Sequence, residues 1–86
     1  MNFFNTVRLL DTGLKAGVFQ FDPKDKNRML VYRKGNKKTG APEGWYSENI
    51  HEVAQELMND ENGIAVILKE FSNRGISFEA IPAWWE

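Results

Sequence analysis

Two apolar stripes that follow each other closely constrain the fold of this 86-residue chain more than any other feature. They run through residues 50–58 and 64–71, and in each the apolar side chains recur at the spacing of one helix face. Only the polar residues 59–63 separate them, which predicts a helical hairpin that must bury both apolar faces against another layer. The stripes consist of Ile50, Val53, Ala54, Leu57 and Met58, followed by Ile64, Ile67, Leu68 and Phe71.

The covering layer is predicted in the first half of the chain. Aromatic and branched residues dominate residues 18–21 and 28–33, and the sequence Asp-Pro-Lys-Asp-Lys-Asn between them is a strong turn signal. This pattern predicts a β-hairpin. Because side chains alternate between the two faces of a strand, Leu30 and Tyr32 share one face, and we expect that face to be buried.

Sequence signals also predict where the helices begin and end. An apolar period in residues 3–14 predicts a first helix from Asn2, as N-cap, to Lys15 or Ala16. Gly13 offers an alternative end, since glycine in a helix costs about 1 kcal/mol relative to alanine. The caps predicted for the other helices are Asn49, in a capping box with Glu52, and Asp60 or Asn62.

Two further segments have strand character. Trp45 and Tyr46 fit a short third strand, and residues 76–81 alternate strictly, which predicts a half-buried last strand ended by Pro82. The elements together predict one α+β domain over residues 1–86, with a three- or four-stranded, mostly antiparallel sheet, helices on one face and the order α-β-β-(β)-α-α-β. The predicted core comprises Val7, Leu10, Phe19, Phe21, Leu30, Tyr32, Trp45, Ile50, Val53, Leu57, Ile64, Ile67, Leu68, Phe71, Ile76 and Phe78.

The composition restricts the setting in which such a domain works. There is no cysteine, which excludes disulfides and thiolate metal sites and favours a reducing cytosol. The first residues lack the basic and apolar regions of a signal peptide. The longest apolar run, residues 64–68, is too short to span a bilayer. We therefore expect a cytoplasmic protein that does not enter a membrane.

No motif in the sequence requires a particular chemistry. His51 is the only histidine, so a transition-metal site would need carboxylates to converge on it from elsewhere. The glycines at positions 35 and 40 have phosphate-loop spacing, but Ala41 and Pro42 stand where the Lys-Ser/Thr pair belongs. The sequence therefore predicts a protein that is not an enzyme and that carries no cofactor or metal.

Charge is strongly segregated along the chain. Residues 1–40 carry a net charge of +6 and residues 41–86 a net charge of −7. The two halves can neutralise each other within one fold, or they can present a basic patch to an anionic partner and an acidic patch to a basic one. The same segregation allows a salt-sensitive homo-oligomer, since opposite halves of two copies attract each other.

One set of candidate residues points to binding of another protein. Trp84 and Trp85 are neighbours in an extended tail, so their side chains tend to point in opposite directions and one can be exposed. Exposed tryptophan is the commonest residue at the energetic centre of an interface. Glu48, Glu52 and Glu56 recur on one helix face and suit a basic partner.

A second set points to nucleic acid. Basic residues cluster at the turn of the β-hairpin and in the glycine-rich loop that follows it, with aromatic side chains nearby for stacking on bases. The candidate residues are Lys24, Lys26, Arg28, Arg33, Lys34, Lys37, Lys38 and Tyr46.

The preferred function is a small, non-catalytic, accessory or regulatory protein-interaction module. The alternative is nucleic-acid binding through the basic hairpin and the Lys34 to Lys38 loop.

Overall fold

The computed structural model describes residues 1–82, and in these residues three helices pack on a three-stranded antiparallel sheet. The predicted α+β class is confirmed, and so is the order α-β-β-β-α-α with its third strand, whereas the predicted last strand is absent from the described residues. The strands lie in the order β1-β2-β3, so β2 is central. The elements are α1 (Phe3–Lys15), β1 (Gln20–Asp22), β2 (Asp25–Arg33), β3 (Gly44–Asn49), α2 (Ile50–Leu57) and α3 (Glu61–Asn73).

Each helix begins at a side-chain cap. A short polar side chain accepts a hydrogen bond from a backbone N–H that has no partner within the helix. The predicted caps Asn2 and Asn49 are confirmed, and Asp60 rather than Asn62 caps α3. Asn49 accepts from the N–H of His51, one residue earlier than a capping box requires.

Helix α1 continues through Gly13 because tertiary packing needs a glycine there. A Cβ atom at this position would lie 2.5 Å from the ring of Phe19, which folds back against the helix. The helix ends at Lys15, and Gly17, two residues later, has a φ of +78°, a left-handed conformation that favours glycine. The alternative helix end at Gly13 was therefore wrong.

The sheet packs on the helices through the opposite face of β2 from the one expected. Residues directly opposite each other in an antiparallel pair share a face. Met29 and Val31 point to the helices and belong to the core, whereas Leu30 and Tyr32 lie on the outer face. Tyr32 is 50% exposed, and its cross-strand partner Trp45 is 68% exposed. The prediction that Leu30, Tyr32 and Trp45 are core residues was therefore wrong.

The core consists of two clusters that meet at α1. Leu10 and Leu14 of this helix pack with Met29 of the sheet and with α2, while Leu9 packs with α3. The fully packed residues are Leu10, Leu14, Met29, Val53 and Ala54 in the first cluster and Leu9, Ile64 and Phe71 in the second. The other predicted core residues, apart from the three on the outer sheet face, belong to one cluster or pack against it.

The segment from Ile76 to Pro82 forms no strand, although a strand was predicted there. Its backbone is held by the side chain of buried Asn5, whose Nδ2 donates to the Ile81 carbonyl and whose Oδ1 accepts from the Ile81 N–H, both at 2.8 Å. Ile76 and Phe78 pack against the second core cluster, so the predicted half-burial is confirmed. The side-chain amide of Asn5 therefore makes backbone hydrogen bonds that a neighbouring strand would otherwise make.

Alanine substitutions on the two faces of β2 should have unequal effects. Met29→Ala removes a side chain that is only 3% exposed, and should cost about 2–5 kcal/mol, or roughly 10 °C or more in melting temperature. Tyr32→Ala removes an exposed ring and should cost no more than about 1.5 kcal/mol. Thermal unfolding of the two variants measures the difference. Equal costs, or a larger cost for Tyr32, would mean that the other face is buried.

Candidate functional site

An exposed aromatic pair marks the outer face of the sheet. Tyr32 on β2 lies directly opposite Trp45 on β3, and their rings meet edge to face with centroids 5.4 Å apart. Both rings stay largely accessible because no element of the described chain covers this face near them. A large exposed aromatic surface is a common feature of binding sites.

Next to this pair, an apolar groove of about 340 Å³ follows the free edge of β2. Strand β1 pairs with β2 only as far as Gln20 opposite Leu30, so residues 31–33 have no strand partner on this side in the described chain. We call this cavity the edge groove. Its lining includes Leu30, Val31, Tyr32 and Trp45 from the sheet, together with Leu57 and Ile67 from the helices.

The charged border of the edge groove is organised by Arg33. Its guanidinium donates two hydrogen bonds of 2.7 Å to Glu48 on β3 and two of 2.7 and 2.8 Å to Glu56 on α2. Bidentate pairs of this kind fix both distance and orientation. Arg33 therefore joins β2, β3 and α2, and the three side chains carry a net charge of −1. Asp60 adds a further carboxylate to the border.

These contacts change the protonation equilibria of the groups involved. Hydrogen bonds from Arg33 lower the pKa of Glu48, and partial burial opposes this effect without cancelling it. The same hydrogen bonds to Glu48 and Glu56 raise the pKa of Arg33. Arg33 and Glu48 are thus held in their charged forms at neutral pH.

Arg28 is also engaged, on the outer sheet face. It donates from Nε to the Ser47 hydroxyl at 3.0 Å and from Nη2 to the Ser47 carbonyl. The Ser47 hydroxyl in turn donates to Asp22. This bond, a backbone N–H and the nearby charge of Arg28 lower the pKa of Asp22. Arg28, Ser47 and Asp22 form a network that ties together all three strands.

The structure does not bring the nucleic-acid candidates together as one patch. Arg28 and Arg33 are engaged with the network and the carboxylates described above, and Tyr46 lies on the inner face with its hydroxyl bonded to the Pro42 carbonyl. Lys24 and Lys26 lie at the start of β2, whereas Lys34, Lys37 and Lys38 follow its end. At about 3.3 Å per residue, the two lysine groups are roughly 25 Å apart along the strand.

The protein-binding candidates are divided in a similar way. Glu48 lies on β3, so the prediction that it shares a helix face with Glu52 and Glu56 was wrong. Glu48 and Glu56 are paired with Arg33, and Glu52 is exposed without an ion pair in the described chain. Trp84 and Trp85 lie outside the described residues, so their proposed role stays a prediction. The sequence analysis missed the exposure of Tyr32 and Trp45, and the available signal was that both faces of β2 are apolar.

Residues 1–82 offer neither a metal centre nor a membrane span. No group of three or more histidine, aspartate or glutamate side chains is placed to hold a metal ion. No helix in this part of the chain has the length and hydropathy needed to cross a membrane. No protein-family model matches the chain, and neither a curated protein nor a solved structure matches it.

Removing the charge of Glu48 should make stability less dependent on pH. Its pKa is lowered in the folded state, so its contribution is present above the unfolded value of about 4.3 and is lost as pH falls through the folded value. Glu48→Gln should cost on the order of 1 kcal/mol at pH 7, and this difference from wild type should shrink below about pH 4.

Denaturant unfolding at several pH values measures this difference, and the matched control is Glu43→Gln. Glu43 is exposed and has no ion pair in the described chain, so its substitution should have little effect at any pH. A cost for Glu48→Gln that is the same at acidic and neutral pH would contradict the proposed role of its charge.

Proposed function

We propose that this chain is a non-catalytic protein-interaction module that binds its partner through the Tyr32–Trp45 pair and the edge groove. The observation that carries this proposal is Trp45, which is 68% exposed and lines an apolar cavity of about 340 Å³. Leaving so large an apolar side chain in water is unfavourable, and covering it with a partner would contribute about 25 cal/mol per Å² of apolar surface.

The chemistry of the surface supports a protein as the partner. Tryptophan and tyrosine dominate the energetic centres of interfaces, where they are surrounded by groups that exclude water. In the edge groove the aromatic pair stands beside aliphatic side chains, and the ionic groups lie at its border. An apolar centre with a charged border is the usual arrangement of a protein interface.

The charged groups at the groove support a binding role more than a catalytic one. The charged groups of Arg33, Glu48 and Glu56 are hydrogen-bonded to one another, and these contacts position the groove walls. An accessory or regulatory role in the cytoplasm belongs to the same proposal, in keeping with a chain without cysteine.

Trp45→Ala should abolish capture of partner proteins from a nuclease-treated lysate of the native host. The matched control is Val66→Ala on α3, because Val66 is also 68% exposed and apolar but does not line the groove. Both variants should remain folded, and Trp45→Ala should lose no more than about 1.5 kcal/mol with its Tyr32 contact. Mass spectrometry of the captured proteins should show a set that wild type and Val66→Ala share and that Trp45→Ala loses.

The comparison is decisive because the two substitutions remove equally exposed apolar side chains. Identical protein sets on all three baits would contradict the proposal, since Trp45 would then contribute nothing to recognition. A wild-type bait that retains no protein at all would also contradict the proposal.

Nucleic-acid binding is the second candidate function, and one observation favours it. Lys34, Lys37 and Lys38 are exposed, form no ion pair with a described residue, and lie in the loop that joins the strands carrying Tyr32 and Trp45. Lysine neutralises phosphate, and exposed aromatic rings stack on unpaired bases. These features together suit a single strand better than a duplex.

Under this alternative, replacing Lys34, Lys37 and Lys38 by alanine should weaken binding of single-stranded oligonucleotides at all sequences alike. Each neutralised phosphate releases counterions, so affinity should also fall steeply with salt. Gel-shift titrations at low and physiological salt measure both effects, with Lys69→Ala on α3 as control. No shift of any oligonucleotide by wild type at low salt would remove this candidate.

A further inference from the structure

We propose that the occupant of the edge groove is a second copy of this chain, in a two-fold symmetric dimer. In this dimer the aromatic pairs of the two copies cover each other's grooves, and the lysine loop of each copy faces the carboxylates that border the groove of the other. The lysine loop is defined here by Lys34, Lys37 and Lys38. The inference rests on the proposed function, because it names the partner of the same surface.

The apolar centre of this surface needs a partner that also presents apolar groups. Tyr32 and Trp45 protrude from the outer sheet face at 50% and 68% exposure, and the groove opens beside them. A second copy brings the same protruding rings and the same groove. In a two-fold interface, the rings of each copy can therefore enter the groove of the other.

The charges at the border indicate what must surround the apolar centre of the partner. Arg33 is already neutralised by Glu48 and Glu56, which leaves that cluster at −1, and Asp60 raises the excess of negative charge. Glu52 on α2 and Glu61 at the start of α3 are further exposed carboxylates on the same helices, although neither belongs to the groove lining. The border is therefore acidic, and a complementary partner carries basic side chains beside its own apolar centre.

This chain itself meets that requirement. The lysine loop starts at Lys34, one residue after Arg33 of the groove lining, and continues beyond the groove as a hairpin tip closed by the bridge between Asn36 and Ala41. Its three lysines are exposed and form no ion pair with a described residue. The acidic border belongs to α2 and the start of α3, whereas the lysine loop joins β2 to β3.

A surface with both charges on different elements around an apolar centre is suited to self-association. A two-fold rotation places the lysine loop of each copy on the acidic border of the other, and the two equivalent contacts close the assembly. Salt should weaken the ionic contacts, because the Debye length falls from about 8 Å at physiological salt to about 3 Å at 1 M. The apolar centre is not screened, so the dimer should persist at high salt with reduced affinity.

Complementary charge reversal tests the dimer directly. Lys37→Glu with Lys38→Glu changes the charge of the loop from +3 to −1. Glu52→Lys with Glu61→Lys changes the charge of the acidic side, summed over Arg33, Glu48, Glu52, Glu56, Asp60 and Glu61, from −4 to 0 without touching the Arg33 contacts or the Asp60 cap. The first variant alone replaces attraction by repulsion at both contacts and the second removes the attraction, so each should dimerise at least about tenfold more weakly than wild type. In an equimolar mixture, one contact of the heterodimer keeps a wild-type loop and a wild-type acidic side, so the heterodimer should be more stable than either variant's own dimer.

Sedimentation equilibrium of the purified full chain, over a series of protein concentrations and at two salt concentrations, measures the assembly. Wild type and Val66→Ala should reach twice the 9.9 kDa of one chain, and Trp45→Ala should remain a monomer. Thermal unfolding of every variant confirms that it is folded. A chain shortened after Pro82 should dimerise like the full chain, since the proposed interface uses only residues before this point.

Four results would overturn the inference. The first is a wild type that stays monomeric, and the second is a mass that keeps rising with concentration, as a head-to-tail array would show. The third is a mixture of the double variants that forms no heterodimer, and the fourth is loss of the dimer when residues 83–86 are removed. A monomeric wild type that still captures host proteins through Trp45 would refute the dimer and leave the proposed function intact. A wild type that dimerises but captures no other protein through Trp45 would limit that function to self-association.

Discussion

The face that β2 turns toward the helices determines most of this structure. Because side chains alternate along a strand, a shift by one residue would exchange every inward and outward side chain of β2, and its neighbours would follow through cross-strand pairing. With Met29 and Val31 inside, Phe21, Tyr46 and Glu48 face the helices, and Trp45 and Ser47 face outward. The buried core and the exposed aromatic pair are therefore two results of one choice.

Local sequence could not determine that choice. Both faces of β2 carry two apolar side chains, Met29 and Val31 on one and Leu30 and Tyr32 on the other, and the sequence analysis expected the second face to be buried. The chosen face carries Arg33 inward, at a desolvation cost that is offset by Glu48 and Glu56. These partners are 15 and 23 residues away in sequence, so their effect depends on how β3 and α2 pack.

Features that depend on near neighbours were predicted well, and features that depend on distant partners were not. The three helices, the hairpin and the caps Asn2 and Asn49 follow from periodicity and short-range hydrogen bonds. The alternation in residues 76–81 correctly indicated half-burial, but no local signal shows that the side chain of Asn5, 76 residues before Ile81, replaces a neighbouring strand. The segregation of charge was visible in the sequence, whereas the particular groups that pair were not.

The pairing of these groups connects the fold to the candidate site. Arg28, Arg33, Glu48 and Glu56 were candidates for binding, and all of them make contacts that hold strands or helices together. Among the candidate residues of the described chain, Lys24, Lys26, the lysine loop and Glu52 form no ion pair. They remain for recognition together with the exposed aromatic pair. Because Arg33 holds β2 against α2 at the border of the edge groove, the same ion pairs set the separation of its walls. Substitutions in this cluster therefore change stability and groove shape together, and only substitutions outside it can separate recognition from folding.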